Sequence, residues 1–216
     1  MSKTVRLRSK SSSDYAIGEA IVPAYGSLIM DYRDFLAAAK GCSVDSESVS
    51  VEFDSGMVDV SISDFGAKGN GIDDDTLAIQ EAIDFVLGLG GGLIRVPVGV
   101  YVIDGISISG GYVMLDGDSM ENSVFKSNGA VAVSWADATG GIVDMQVICD
   151  GGTAFHIAGG SSLFIERCTV DTDLVFKSEG GKCNVASCTM HSRTFYEVSG
   201  NGTINEQFCV YDGGTE

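Results

Sequence analysis

Proline is nearly absent from this chain: Pro23 and Pro97 are the only two in 216 residues. Basic residues are also scarce, 13 against 30 acidic ones, for a formal net charge of −17. A surface that acidic repels phosphate backbones, so a nucleic-acid partner is excluded. Long apolar runs are missing as well. Stretches such as Leu28-Ile29-Met30 fall far short of the ~20 residues a membrane span needs, so no membrane insertion is expected. The opening Met-Ser-Lys-Thr shows no apolar signal segment, and the expectation is synthesis in the cytoplasm without a signal peptide. No phosphate loop, dinucleotide fingerprint or nucleophile–base pair is present, and no cofactor is expected.

Glycine is abundant instead, with 29 residues where ordinary usage predicts about 15. Many glycines with few prolines and few long polar runs imply tight turns between short strands. A hydrophobic share of 44% and a mean hydropathy of +0.20 exclude wholesale disorder. A chain this long suits one medium domain, or a smaller one with an appendage, and hides roughly 70% of its unfolded surface without staples. The six cysteines, at positions 42, 149, 168, 183, 188 and 209, therefore read as reduced, small core residues.

Residues 1–60 differ from the rest. Lys3, Arg6, Arg8 and Lys10 fall in the first ten positions, followed by Ser11-Ser12-Ser13. This segment is either a solvated tail or a cationic arm that docks on an acidic partner surface. An apolar patch spans 20–25, and Tyr32–Lys40 reads as a short helix ended by Gly41. Ser48–Phe53 and Met57–Ile62 alternate apolar and polar residues around Asp54-Ser55-Gly56, which predicts a β-hairpin. From Asp64 the chain reads Asp64-Phe65-Gly66-Ala67-Lys68-Gly69-Asn70-Gly71-Ile72-Asp73-Asp74-Asp75-Thr76. A helix over Thr76–Leu87 follows, with Asp74 or Asp75 accepting from its free N–H groups and Ile79, Ala82, Ile83 and Val86 on one face. Gly90-Gly91-Gly92 then turns into a strand over Leu93–Val96, and Pro97-Val98-Gly99-Val100-Tyr101 closes the unit.

Beyond residue 101 the helical period gives way to an internal repeat, apolar-x-x-apolar-x-apolar: Ile142, Met145, Val147; Ile165, Cys168, Val170; Val185, Cys188, Met190. A fourth copy is read at Ile204, Phe208 and Val210, with one extra residue. Second strands at Ala154–Ile157, Leu174–Phe176 and Phe195–Val198 lie between the copies, each followed by glycines. A period of about 20 residues with several strands and no helix describes one coil of a parallel β-helix, the x-x gap marking a corner. An antiparallel sandwich would place its turns every 8–12 residues, which leaves the longer recurrence unexplained. The fold class is thus all-β: a short parallel β-helix with one N-terminal cap helix and a small N-terminal appendage.

The Asp64–Ile83 run, the triple glycine and Pro97-x-Gly99-x-Tyr101 resemble the opening of pectate-lyase-like right-handed β-helices, as in bacteriophage tail spikes and polysaccharide-degrading enzymes. Asn70 stands where that pattern more often has Asp. The resemblance implies a cap helix over the first coil and stacked coils of three sheets. From phage spikes it implies a homotrimer held to the particle by its N-terminal segment. It gives Asp64, Phe65, Gly66, Asp74, Asp75, Thr76, Pro97, Gly99 and Tyr101 a structural role. The expected division is residues 1–60 for particle anchoring and oligomerisation and 61–216 for the β-helix, with a cap region at 61–101 and stacked coils at 102–216.

Catalysis is not assigned by the sequence. A glycoside hydrolase needs two carboxylates ~5–9 Å apart, and Asp144, Glu166 and Glu206, or Asp150, Asp171 and Asp212 further round, are read as outward-facing. Glu166, Asp171 and Asp144 are the candidates, although a chain with 30 acids offers such pairs for solubility alone. Arg167 beside Glu166 loosely fits a lyase. Cys183, Cys188 and His191 lack a fourth ligand, so no metal is expected. His156 is read as outward, and Trp135, Tyr112 and Tyr196 as packing residues or sugar platforms. Five or six coils make a rod of about 25–30 Å, short for a polysaccharide groove. The leading functional expectation is a small trimeric tail spike or fibre in a virion, joined to other tail or capsid proteins through residues 1–60 and meeting host-surface polysaccharide. A polysaccharide depolymerase and a capsid-decorating or adaptor protein are the alternatives. The last coil looks bare, an edge that trimerisation would protect.

Overall fold

A computed structural model describes residues 4–10, 14–17, 20–22, 27–39, 49–53 and 58–213. Lys3, the Ser11-Ser12-Ser13 run, Pro23-Ala24-Tyr25, Gly41, Cys42 and the Asp54-Ser55-Gly56 turn lie outside the described residues. The body is a parallel β-solenoid of about six turns. One ladder is a seven-stranded sheet of β6 (Val58–Ser61), β8 (Gly92–Val96), β11 (Tyr112–Gly117), β14 (Thr139–Val143), β16 (Ser162–Glu166), β18 (Lys182–Ala186) and β20 (Thr203–Gln207). A nine-stranded sheet supplies the other two faces. Its main path is β7 (Asn70–Asp74), β9 (Gly99–Ile103), β12 (Ser123–Ser127), β15 (Gln146–Ala158), β17 (Thr169–Glu179), β19 (Thr189–Ser199) and β21 (Val210–Asp212). Its third face starts with β10 (Ile106–Ser109) and β13 (Val131–Ala136), and β13 pairs the second half of β15. Three expected faces become two sheets because β15, β17 and β19 run unbroken through a corner.

The repeat places the core. Ile142, Ile165 and Val185 share one register row, and Met145, Cys168 and Cys188 follow at the next inward position; all are at most 1% exposed. Between these rows sits a left-handed residue at each turn, Asp144, Arg167, Ser187 and Phe208, with φ of 51–56°. The x-x gap is that corner. The fourth repeat is phased differently from the expectation. Ile204 pairs Cys183, Glu206 pairs Val185 and Tyr211 pairs Met190, so this coil advances 21 residues (208 − 187), one more than the 20 of the coil before (187 − 167). Phe208 is consequently a corner residue, 89% exposed, and Val210 is 59% exposed.

The expected hairpin across 48–62 does not form. β5 (Val49–Phe53) pairs antiparallel with β1 (Thr4–Ser9), whereas β6 pairs parallel with β8 as the first rung of the solenoid. The alternation was real in both strands, but Val58 and Val60 bury themselves against the solenoid core, alongside Gly92 and Ile94. Nor is the basic start a solvated tail: β1 is the central strand of a β4-β1-β5 sheet, where β4 is Ser27–Asp31, with Val5 and Leu7 fully buried and Arg6 and Arg8 exposed. A hairpin of β2 (Tyr15–Ile17) and β3 (Ala20–Val22) and the helix α1 (Tyr32–Ala39) complete this appendage. It meets the solenoid through rings: Phe35 of α1 lies 6.0 Å from Phe85, which lies 5.4 Å from Phe65.

Phe85 belongs to the cap helix α2 (Thr76–Gly88), whose Ile79, Ala82, Ile83 and Val86 are fully buried. Several residues of the opening motif have a geometric task. Asp64 forms a capping box with Ser61 around the short 3-10 turn Ile62–Phe65, and Gly66 ends that turn at φ 96°. A side chain there would be strained by the left-handed backbone. Asp74 Oδ1 accepts from Thr76 N at 2.9 Å, so it caps α2 as expected. Asp75 does not: its carboxylate turns back, 2% exposed, and accepts from Lys68 N at 2.7 Å and Gly69 N at 3.1 Å. Tyr101 is buried and donates to the Pro97 carbonyl at 3.1 Å, and a Cβ on Gly69 would come within 2.7 Å of its ring.

Candidate functional site

In a solenoid the outward positions of equivalent strands form straight rows, with rungs about 4.8 Å apart. Two rows line the outer face of the seven-stranded sheet. The first runs Leu93, Met114, Gly141, Phe164, Asn184, Asn205. The second runs Arg95, Asp116, Val143, Glu166, Ala186, Gln207. Phe164 stands 36% exposed on the first row, next to a position where Gly141 offers no side chain. Beyond it Asn205 Nδ2 donates to Asn184 Oδ1 at 3.1 Å.

Charges gather on the second row. Arg95 reaches Asp59 at 3.1 Å and Asp116 at 3.4 Å. Arg167, at the corner, donates to both oxygens of Asp144, at 2.7 and 2.8 Å, and to Glu166 at 2.5 Å. That grip holds the Asp144 carboxyl below the usual carboxylate range and pushes the guanidinium up. Asp116 differs. Burial pushes its carboxyl above the usual range, Arg95 opposes the shift, and Asp144 and Asp118 add to it. Asp116 and Glu166 flank Val143 on one row, two rungs or roughly 10 Å apart.

The structure thus brings Asp144 and Glu166 together but leaves Asp171 out. Asp171 lies past the corner on the next face, in register between Ile148 and His191. Glu206 is exposed but off the charged row, because it shares a register row with the inward Val185, and it contacts the Tyr211 hydroxyl. Sequence reading missed Asp116 and Arg95. Their signal was present in the strand alternation of Tyr112–Gly117 and Gly92–Val96, but the repeat was counted only from residue 142. Trp135 is 1% exposed and so no sugar platform, and Tyr196 stacks flat on Phe176 at 5.9 Å. Tyr112 remains 36% exposed at the edge of the face. His156 lies 3.3 Å from Glu179 on the third face. Cys168 and Cys188 are buried free thiols on neighbouring rungs, and burial pushes the Cys168 thiol up. Among the described residues no His, Cys, Asp and Glu group is arranged to hold a metal ion.

A family model described as rhamnogalacturonase A/epimerase, pectate lyase-like, matches residues 59–203, well over half of the chain. The chain belongs to this family. Mannuronan C5-epimerase AlgE5 of Azotobacter vinelandii is 48% identical over 48 residues, which is 22% of this chain and 5% of that protein. This chain therefore spans a small fraction of the curated relative it matches. Among solved structures, the A-module of Azotobacter vinelandii mannuronan C-5 epimerase AlgE4 is similar with a TM-score of 0.44 and 22% identity, covering 72% of this chain and 50% of the module. The catalytic unit of a Streptomyces thermodiastaticus α-1,3-glucanase is similar with a TM-score of 0.42 and 14% identity, covering 99% of this chain and 60% of the unit. The match begins at the first rung of the pectate lyase-like solenoid, so the appendage before β6 stands outside the family region. No helix among the described residues is long and apolar enough to cross a membrane.

Proposed function

We propose that the outer face of the seven-stranded sheet holds an extended glycan, and that the chain serves as a bacteriophage tail spike or fibre that adheres to the host surface. The observation that carries the glycan reading is the Phe164 ring, exposed on a row whose next two rungs present the paired amides of Asn184 and Asn205. An aromatic face packs against the C–H side of a sugar ring, and amides and carboxylates serve its hydroxyl groups. A rigid ladder presents these groups without an ordering cost at binding. In this reading the protein is a homotrimer. Residues 1–60, whose sheet exposes Arg6 and Arg8 beside a solenoid rich in acids, join it to the particle. Glycan-array binding with the Phe164→Ala variant tests the glycan reading: a loss of at least tenfold is expected, and unchanged binding refutes it. Location in a particle reconstruction tests the virion reading.

One observation favours a second reading, depolymerisation of the same glycan. Asp116 and Glu166 share one outward row two rungs apart, and burial favours a protonated Asp116. Release of reducing ends from host polysaccharide, abolished in Asp116→Asn, separates this enzyme from an adhesin.

A further inference from the structure

We infer that Cys188 and Cys209 are a disulfide-forming site, closed by exchange with a low-molecular-weight disulfide, that fastens the last coil to the coil before it. The inference is independent of the glycan reading. Three cysteines share one corner row on consecutive rungs. Thr189 pairs Thr169 and Val210 pairs Thr189, and the residues just before these three are Cys168, Cys188 and Cys209. Thr189 N donates to the Cys168 carbonyl at 2.9 Å and Val210 N to the Cys188 carbonyl at 2.8 Å, so the three stack rung on rung. Their side chains share one orientation as well. Each Sγ donates to the carbonyl two residues back, on Glu166, Ala186 and Gln207, at 3.3, 3.2 and 3.5 Å. Rungs about 4.8 Å apart fall within the Cα separation that a disulfide spans. Cys149 and Cys183 stand on other rows, Cys149 between Ser127 and Thr172 and Cys183 between Leu163 and Ile204. Sulfurs strung along one line make pairs and not a cage, in keeping with the lack of a metal-holding group among the described residues.

Exposure selects the pair. Cys168 and Cys188 are at most 1% exposed, whereas Cys209 is half-buried beside β21, which ends its ladder and pairs β19 alone. A small disulfide arriving from solvent therefore meets Cys209. The Cys209 thiolate attacks one of its sulfurs, forming a mixed disulfide and expelling one small thiolate. Cys188, one rung away, is the resolving thiol: its sulfur attacks the Cys209 sulfur, forming the Cys188–Cys209 bond and expelling the second small thiolate. Two protein thiols are oxidised, one small disulfide is reduced, and the two released thiolates take up the two protons the protein gives. Cys168 assists this step. Burial pushes its thiol up, so it stays protonated and donates to Cys188, a bond that lowers the Cys188 thiol against the effect of burial. The bridge falls where the solenoid is least held. The coil before it has a neighbour on both sides, but the last coil has one, with Phe208 89% and Val210 59% exposed around Cys209. A reducing compartment keeps the pair open, and an oxidising one closes it.

Reduced full-length Cys42→Ser protein, incubated with oxidised glutathione, acid-quenched and peptide-mapped, tests this. Free thiols counted in denaturant should fall from five to three, with Cys188 and Cys209 linked. Limited proteolysis within the last coil should slow by about tenfold and recover on adding a reductant. Under the same treatment Cys209→Ser should keep its four remaining thiols and its proteolysis rate. Cys188→Ala should stop at a glutathione adduct on Cys209. If that core variant fails to fold, Cys209→Ser, changed at a half-buried position, still decides. A lasting glutathione adduct on Cys209 with Cys188 present, a Cys168–Cys188 bridge, a Cys209–Cys209 bridge between chains, or no loss of thiols each overturns the inference. A Cys188–Cys209 bridge that leaves proteolysis unchanged overturns the fastening role.

Discussion

Asp75 offers the sharpest test of how the opening motif builds the cap. Its carboxylate is 2% exposed and satisfies two backbone donors, Lys68 N and Gly69 N. Its own backbone N–H donates to the Val102 carbonyl at 2.8 Å, and its carbonyl accepts from Ile79 N at 3.0 Å. One residue therefore ties the Lys68–Gly69 turn to strand β9 and to the first turn of α2. Alanine keeps the two backbone bonds and removes the other two, leaving the turn's N–H groups without a partner. Each orphaned donor costs about 1–3 kcal/mol, so Asp75→Ala should lose about 3–4 kcal/mol. At about 2–4 °C per kcal/mol for a chain of this size, the melting temperature should fall by roughly 10 °C. Asp75→Asn retains one acceptor oxygen and should lose about half as much. Asp74→Ala removes two exposed bonds, from Thr76 N and Thr76 Oγ1, and should cost about 1 kcal/mol. Urea unfolding with unchanged m-values measures all three. An Asp75→Ala loss below 1 kcal/mol, or an Asp74→Ala loss exceeding it, would falsify the assignment of the buried carboxylate to the turn.

The pH behaviour of the charged row should split by residue. Arg167 holds the Asp144 carboxyl below its unfolded value, so that pair stabilises the fold above about pH 4 and loses its contribution as pH falls through the folded value. On a half-exposed arginine the effect is under about 1 kcal/mol, and Arg167→Met should erase it from the acid limb of a stability–pH curve. Asp116 has the opposite sign: its folded value is raised, so ionisation costs stability that returns as pH falls from above the folded value toward the unfolded one. Carbon-detected NMR should place its titration midpoint above that of an unperturbed aspartate, and a midpoint at or below it contradicts the burial argument. In a Cys42→Ser background, a thiol reagent should label Cys209 in the native state and spare Cys149, Cys168, Cys183 and Cys188 until unfolding. A native Cys168–Cys188 bridge seen by mass spectrometry contradicts the free-thiol ladder.

Much of the solenoid was legible because a repeating coil writes the same inward positions again and again. Ile165, Cys168 and Val170 announce the next coil's Val185, Cys188 and Met190, and burial agrees for all six. The pattern failed where one coil differs in length. Phe208 was read as core because the count of 20 continued, while the backbone spends one more residue before the corner. The hairpin failed for a different reason. Alternation reports that a strand has a buried side but carries no information about its partner, and β5 and β6 bury theirs in different sheets. The charged face was half legible: Glu166 and Asp144 fell inside the counted repeats, whereas Asp116 and Arg95 lie on earlier rungs where no repeat had been recognised.

The cap explains why the strongest local signal of the sequence is structural. A parallel solenoid must begin somewhere, and its first rung leaves a line of backbone groups with no strand below. On the third face that rung is β10, which pairs β13 on one side only. α2 supplies the missing partner with side chains. Gln80 Oε1 accepts from Ser107 N at 3.0 Å while its Nε2 donates to the Ser107 carbonyl at 2.9 Å, reproducing the two bonds a neighbouring strand would make. One turn earlier Thr76 Oγ1 accepts from Asp104 N at 2.8 Å and is itself held by Asp74 at 2.5 Å. The Thr76-to-Gln80 spacing is one helical turn, which is why hydroxyl and amide arrive together over Asp104 and Ser107, three residues apart on the edge. A helix can terminate a β-edge in this way only if its polar residues fall at that interval while Ile79, Ala82, Ile83 and Val86 point into the core. The spacing is therefore set by the edge it covers, and it places no constraint on what the outer face of the rungs above it binds.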